Sequence, residues 1–165
     1  MIGHMKNVCM YFSLTCSLAL NAPSVNHLCK TVLFENTKWN PSLADPFDHR
    51  NSQYYFVIVQ YTDKIQSTKL NNFIRCELGN SQVSRKNYNL RVTSEDKALE
   101  LTGFIKNGVC PIGSLTKIPV IITQNISKLH PLVVCLGAGH PDYKLIIPFQ
   151  ELVNQTSAWI ADLSY

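Results

Sequence analysis

The sequence predicts a mixed α/β (α+β) domain in which helices flank a mixed central sheet. Three observations lead there. Tyr54 to Tyr61 is a continuous apolar run of strand length, the pattern of a central strand covered on both faces. Leu70, Phe73, Ile74 and Leu78 recur at i, i+3, i+4 and i+8, one face of an amphipathic helix. Strand-like and helix-like segments do not alternate strictly, which argues against a doubly wound parallel sheet. The chain has 165 residues, 45% of them hydrophobic and 16% charged. That length fits one domain able to bury a core, and that composition excludes intrinsic disorder.

The elements follow in order. Met1 to Met5 reads as a tag remnant, residues 1–11 as an N-terminal extension, and residues 12–165 as a single domain. Val8 to Leu20 predicts a short first helix that stops before Pro23. Lys30 to Asn36, rich in β-branched and aromatic residues, predicts a strand. Residues 37–53 carry Asn40-Pro41 and Asp45-Pro46 and read as loop. After the Tyr54–Tyr61 strand, Ser67 is the predicted cap of a helix ending at the C-cap glycine Gly79.

Tyr88 to Val92 is a further strand candidate. Thr93-Ser94-Glu95-Asp96 approximates a capping box and starts a helix that stops at Gly103. A loop spans Lys106 to Lys117, with strands expected at Ile118–Thr123, Leu132–Leu136 and Tyr143–Ile147. Pro148 suits the first position of a helix through Val153, and Ala158 to Leu163 closes the chain as a strand. The tally is about six strands and three or four helices.

The chemistry-bearing patterns are few. GxSxG, Walker A, HExxH and the dinucleotide fingerprint are all absent. No two of the five histidines have metal-ligand spacing and no CxxC pair occurs, so neither a metal nor a cofactor is expected. The six scattered cysteines read as reduced thiols of a cytoplasmic protein. No apolar run reaches the length of a membrane span, and no membrane partner is expected.

Lys30, just before an apolar strand, is either a solvated lysine or an ammonium aimed at an anion such as phosphate. The loop Asn107-Gly108-Val109-Cys110-Pro111-Ile112-Gly113 is either an ordinary turn or a cradle presenting main-chain N–H groups to an oxyanion. Cys110 within it is a small loop side chain or, less simply, a nucleophile. Gly137-Ala138-Gly139 is a tight turn or the floor of a pocket with His140 as its wall. Lys64, Lys69, Arg75, Arg85, Lys86 and Arg91 are opposed only by Glu77, and Tyr88 lies among them. Such a stretch is a solvated face or a track for a phosphate backbone with a stacking aromatic.

Taken in order, Cys29-Lys30-Thr31-Val32-Leu33-Phe34, the strand Tyr54–Tyr61, Leu101-Thr102-Gly103, Gly108-Val109-Cys110-Pro111-Ile112-Gly113 and Leu136-Gly137-Ala138-Gly139 resemble the YbaK/ProX family of aminoacyl-tRNA editing domains. That family includes the insertion domain of bacterial prolyl-tRNA synthetases and free-standing deacylases. The wording Ala22 to Lys30 is similar to its eukaryotic stand-alone members. The likeness covers about residues 12 to 163.

It implies an editing-domain fold whose pocket takes the 3′ end of a charged tRNA, with an aminoacyl-tRNA synthetase as a further partner. It also implies hydrolysis of a misacylated ester by substrate-assisted water attack, proline tRNA carrying Cys or Ala being the expected substrate. By this likeness Lys30, Gly108 and Pro111 are catalytic. Asn107, Val109, Cys110, Gly113, Gly137, Ala138, Gly139 and His140 contact substrate. The family's GxxxP loop calls for glycine where Asn107 stands, a departure that keeps open a non-catalytic module binding a tRNA end or a synthetase.

Overall fold

The computed structural model describes residues 18, 20–43, 49–78 and 84–165. Seven strands and three α-helices occur among them, joined by short 3₁₀ turns. The strands are β1 (Cys29–Asn36), β2 (Tyr54–Gln60), β3 (Leu90–Val92), β4 (Val120–Thr123), β5 (Val133–Gly137), β6 (Lys144–Pro148) and β7 (Trp159–Ala161). The helices are α1 (Ser67–Asn72), α2 (Glu95–Thr102) and α3 (Phe149–Thr156).

Five strands form one mixed sheet in the order β3-β1-β2-β4-β7, while β5 and β6 form a separate hairpin. Strand β2 runs antiparallel to β1 and parallel to β4, and β7 adds parallel to β4. The alternation of side chains along β2 explains its apolar run. Phe56 and Ile58 pack with Leu33, Val120, Ile122, Leu136 and the α3 residue Leu152. Tyr55 and Val57 pack on the other face with Ile121 and the α1 residue Leu70, together with Phe73 and Ile74 just beyond it. A strand between two such covers has no polar face to present, as its sequence indicated.

Several boundaries differ from expectation. Ser67 opens α1 but does not cap it; the cap position is Gln66, with no side-chain bond. After Asn72 the helix widens into a π-helical segment, Phe73–Leu78. Ser94, not Thr93, caps α2, its hydroxyl accepting from the Lys97 N–H at 3.3 Å. The cap one residue later puts Lys97 rather than an acid at the third helical position, so no capping box forms. Gly103 ends α2 with φ +76°, as a terminating glycine should. Pro148 is the last residue of β6 and caps α3, which runs on to Thr156. The third strand begins only at Leu90, because the Asn36 side chain accepts from the Asn89 N–H at 2.9 Å in place of a ladder partner. The expected first helix except Leu18 and Leu20, the 1–11 extension and Gly79 lie outside the described residues.

Candidate functional site

The site grows from an interruption in the sheet edge. β1 pairs with β2 along its whole length on one side. On the other side β3 covers only Phe34 to Asn36, and Leu28 bridges to Cys135 of β5. The stretch between is open among the described residues. The Leu33 carbonyl accepts from the Thr93 N–H at 2.9 Å, so odd-numbered residues of β1 turn their backbone groups toward this edge. By the two-residue repeat, the Thr31 N–H and C=O point the same way.

A cavity of about 310 Å³ occupies the gap. Cys29 to Leu33 form its floor, Val92, Thr93, Glu95 and Ala98 one wall, and Lys106, Asn107, Val109 and Gly137 another. Lys30 is half-buried, its ammonium 5.6 Å from the centre of the Tyr61 ring, within cation–π range. It has no carboxylate partner among the described residues. Glu95 in the cavity wall is already paired with Lys106, which ties the loop to the first turn of α2. The hydroxyls of Thr31 and Thr93 are buried and have no partner among the described residues. A buried hydroxyl left unpaired costs about 1–3 kcal/mol, so two of them around one cavity mark it as built to receive polar groups.

The loop after α2 is stapled into place. The Thr102 hydroxyl donates to the Ala98 carbonyl at 2.7 Å and accepts from the Phe104 N–H at 3.1 Å. The Leu115 and Thr116 N–H groups return to the carbonyls of Thr102 and Leu101. Gly108 donates to the Ile105 carbonyl at 3.0 Å, and its own carbonyl accepts from Gly139 at 2.8 Å. A Cβ on Gly108 would lie 2.8 Å from the Gly139 carbonyl group, and one on Gly137 would lie 2.9 Å from the Val109 oxygen. These glycines let two backbones touch. They set the position of the cavity wall, with the Gly108 N–H already engaged. The N–H groups of Asn107 and Val109 have no backbone acceptor among the described residues.

Asn107 adopts φ +66°, the left-handed conformation that asparagine tolerates better than other side-chain-bearing residues. The loop therefore keeps the geometry a glycine would supply there.

Of the residues singled out from sequence, Lys30, Asn107, Val109 and Gly137 meet around this cavity. Gly108 and Gly139 sit behind the wall. Pro111 and Gly113 line a separate cavity of about 540 Å³, bounded also by Gln155 and Trp159. Cys110 is 2% exposed, and burial pushes its thiol above the ordinary cysteine range despite a hydrogen bond from the Ile112 N–H. A thiol so placed stays protonated near neutrality and is a poor nucleophile. Ala138 is exposed at the hairpin turn. His140 is exposed beside Tyr143, ring centres 5.5 Å apart, and its Nδ1 accepts from the Asp142 N–H at 3.2 Å.

Thr31, Thr93 and Tyr61 were not picked out from sequence. Thr31 had one legible signal, a hydroxyl at the head of the apolar run Val32–Phe34; Thr93 had none, because its role depends on β3 stopping just before it.

The family model for the aminoacyl-tRNA editing domain matches residues 17–154. Among solved structures, a candidate trans-editing enzyme for prolyl tRNA synthetase is 21% identical, with 93% of this chain and 79% of that one covered and a TM-score of 0.71. A scaffold protein used for computational epitope grafting is 19% identical, with 93% and 80% covered and a TM-score of 0.71. The hypothetical protein APE2540 is 18% identical, with 93% and 83% covered and a TM-score of 0.68. No curated protein matches the chain. At these identities the solved structures show a shared fold. The family match spans most of the chain and includes Lys30, the Asn107–Gly113 loop and the Gly137–Gly139 turn: the chain belongs to the aminoacyl-tRNA editing domain family.

Proposed function

We infer that the protein is a trans-acting aminoacyl-tRNA deacylase that hydrolyses the ester of misacylated tRNA, with proline tRNA carrying cysteine or alanine as its substrate. The observation that carries this reading is the cavity at the open edge of β1. It combines a cation without an ion-pair partner, two unsatisfied hydroxyls and outward-facing strand backbone among the described residues. These groups suit a ligand with a phosphate, a ribose and an α-amino ester.

In this reading Lys30 holds the terminal adenosine through its phosphate or ribose. The Thr31 edge and the Thr93 hydroxyl bind ribose or amino groups. The N–H groups of Asn107 and Val109 stabilise the charge that develops on the carbonyl oxygen. Water adds to the ester carbon, the bond to the ribose oxygen breaks, and the water proton passes to that oxygen. An aminoacyl ester is already activated, so positioning the water and stabilising the oxyanion supply much of the rate. The neighbouring ribose hydroxyl, or the thiol of a cysteinyl substrate, helps orient the water, and no cofactor takes part.

The test is a deacylation assay over a panel of charged tRNAs that includes proline tRNA carrying alanine, cysteine and proline. Faster release of alanine or cysteine than of proline is the expected result. A folded protein that binds tRNA and releases none of them is instead the non-catalytic module.

Thr31→Val gives a sharper check on the site. It removes an unpartnered hydroxyl at similar shape, so the free protein keeps its melting temperature or gains slightly. Its kcat/KM should fall about five- to tenfold, the worth of one neutral hydrogen bond to substrate. Lower stability with full activity would assign the hydroxyl to the fold.

A further inference from the structure

None of the basic residues from Lys64 to Arg91 lines the cavity at β1. Lys69 is used in the fold, donating to the Asp162 carboxylate at 2.9 Å and to the Ser164 carbonyl at 2.7 Å. Arg75 and Arg85 are different. They meet in a small polar cavity of about 180 Å³ whose other lining residues include Asn71, Tyr88 and Asn89. Neither arginine has a carboxylate partner among the described residues, and no acidic residue lines the cavity. The connecting segment 79–83 contains no acidic residue either.

Two of the three amide side chains that line this small cavity are committed to the fold. Asn71 donates to the Ser67 carbonyl and accepts from the Leu90 N–H, and Asn89 donates to Thr37. Tyr88 is not so committed. It is 8% exposed, yet its hydroxyl has no partner among the described residues. Burial pushes that hydroxyl above the ordinary tyrosine range, with Arg75 pulling the other way. It therefore stays a proton donor at neutral pH. Arg75 itself projects from the π-helical segment that follows α1. Two guanidiniums and an O–H around one small cavity form a cluster rich in donors. Their complement is a compact oxyanion with several acceptor oxygens.

Where the cavity lies narrows the source of that anion. Tyr88 and Asn89 immediately precede β3, one of the two edge strands of the five-stranded sheet. Val92 and Thr93, at the end of the same strand, wall the cavity at the β1 edge. The two cavities therefore flank one short edge strand, with exposed Arg91 between them. Five residues of extended chain span about 17 Å at roughly 3.3 Å each. RNA backbone covers that distance within a few nucleotides.

We propose that Arg75, Arg85 and the Tyr88 hydroxyl form a phosphodiester-binding site for the tRNA acceptor end, gripping the backbone several nucleotides before the 3′ terminus that enters the β1 cavity. This rests on the tRNA-directed reading above and assigns it a second point of attachment. The site gives affinity without reading sequence, because a phosphate carries none.

The experiment measures binding of uncharged tRNA to the intact protein by fluorescence anisotropy across a range of salt concentrations. Arg75→Gln with Arg85→Gln should weaken tRNA binding about tenfold or more. The same pair should lower the slope of log affinity against log salt by about 1, because the one phosphate held in this cavity is no longer neutralised. Binding of a trinucleotide ending in the 3′ adenosine, too short to span both cavities, should not change. Arg85→Gln alone, at an exposed position on a short turn, should give about half the slope change with an unaltered melting curve. Wild-type affinity and slope in the double variant would overturn the proposal. So would tighter arginine-dependent binding of a phosphoserine peptide than of tRNA, which would make the site a protein-docking one. Because the RNA is uncharged, no ester is turned over. A protein that binds through these arginines but hydrolyses nothing keeps this site and loses only the deacylase reading.

Discussion

Lys30→Ala is expected to lower kcat/KM for the mischarged substrate by at least about 100-fold while leaving the melting temperature nearly unchanged. Both halves follow from its surroundings. The ammonium makes no ion pair among the described residues and lies 5.6 Å from the Tyr61 ring centre, so the fold gives up little more than one partly exposed cation–π interaction. Such an interaction is worth about 0.5–1 kcal/mol. The substrate is deprived of a charge-assisted hydrogen bond in a cavity partly shielded from water, where such bonds are stronger than neutral ones. Loss of a positioned charge near a developing oxyanion costs a further factor of about 10²–10³ in rate where the charge acts on the transition state. Single-turnover kinetics separate these roles. A raised KM with unchanged kcat places Lys30 on the terminal nucleotide, and a reduced kcat places it on the reacting ester. Full activity in Lys30→Ala would remove the cavity at β1 as the reaction site.

Gly108→Ala is expected to lower the melting temperature by about 5–10 °C and to reduce kcat/KM by about 100-fold. The new methyl would sit 2.8 Å from the Gly139 carbonyl carbon and oxygen and 3.0 Å from the His140 nitrogen. These are backbone atoms, which cannot swing aside as a side-chain tip does. Overpacking of this kind costs about 1–3 kcal/mol, and in a domain of this size each kcal/mol lowers the melting temperature by about 2–4 °C. The loop must then move off the hairpin turn, carrying the Asn107 and Val109 N–H groups with it. A displacement near 1 Å is enough to cost about 10² in rate. Thermal unfolding read alongside kcat/KM checks this directly. A Gly108→Ala protein with wild-type stability would show that the packing between loop and turn yields easily. Retained stability with lost activity would give Gly108 a direct role in the chemistry.

Much of the architecture was legible because it rests on local patterns. The Tyr54–Tyr61 run announced a strand buried on both faces, and β2 is the middle strand of the five-stranded sheet with alternate residues in two cores. The spacing of Leu70, Phe73 and Ile74 announced the helix that covers one of those faces. Gly103 announced the end of α2 through its left-handed φ. Element ends were less legible, because caps are decided by single hydrogen bonds. Ser94 rather than Thr93 caps α2, and the Asn36 side chain delays the start of β3.

The residue types available for chemistry can be read along the chain: a lysine before an apolar strand, a loop of glycine and asparagine, a Gly-Ala-Gly turn and a run of basic residues. Their division into roles depended on tertiary structure. β3 covers only part of the β1 edge, and that shortfall opens the cavity where Lys30, Thr31, Thr93, Asn107 and Val109 meet. Gly108 and Gly137 resemble ligand-cradling glycines in sequence, and only the folded chain shows that they also permit the close approach of two backbones. Arg75 and Arg85 are ten positions apart, and only the packing of α1 against β3 brings them into one cavity beside the Tyr88 hydroxyl. A strand's periodicity is a property of neighbours along the chain and can be read from them. A gap in a sheet edge is a property of which strands fail to meet, and it exists only once the chain has folded.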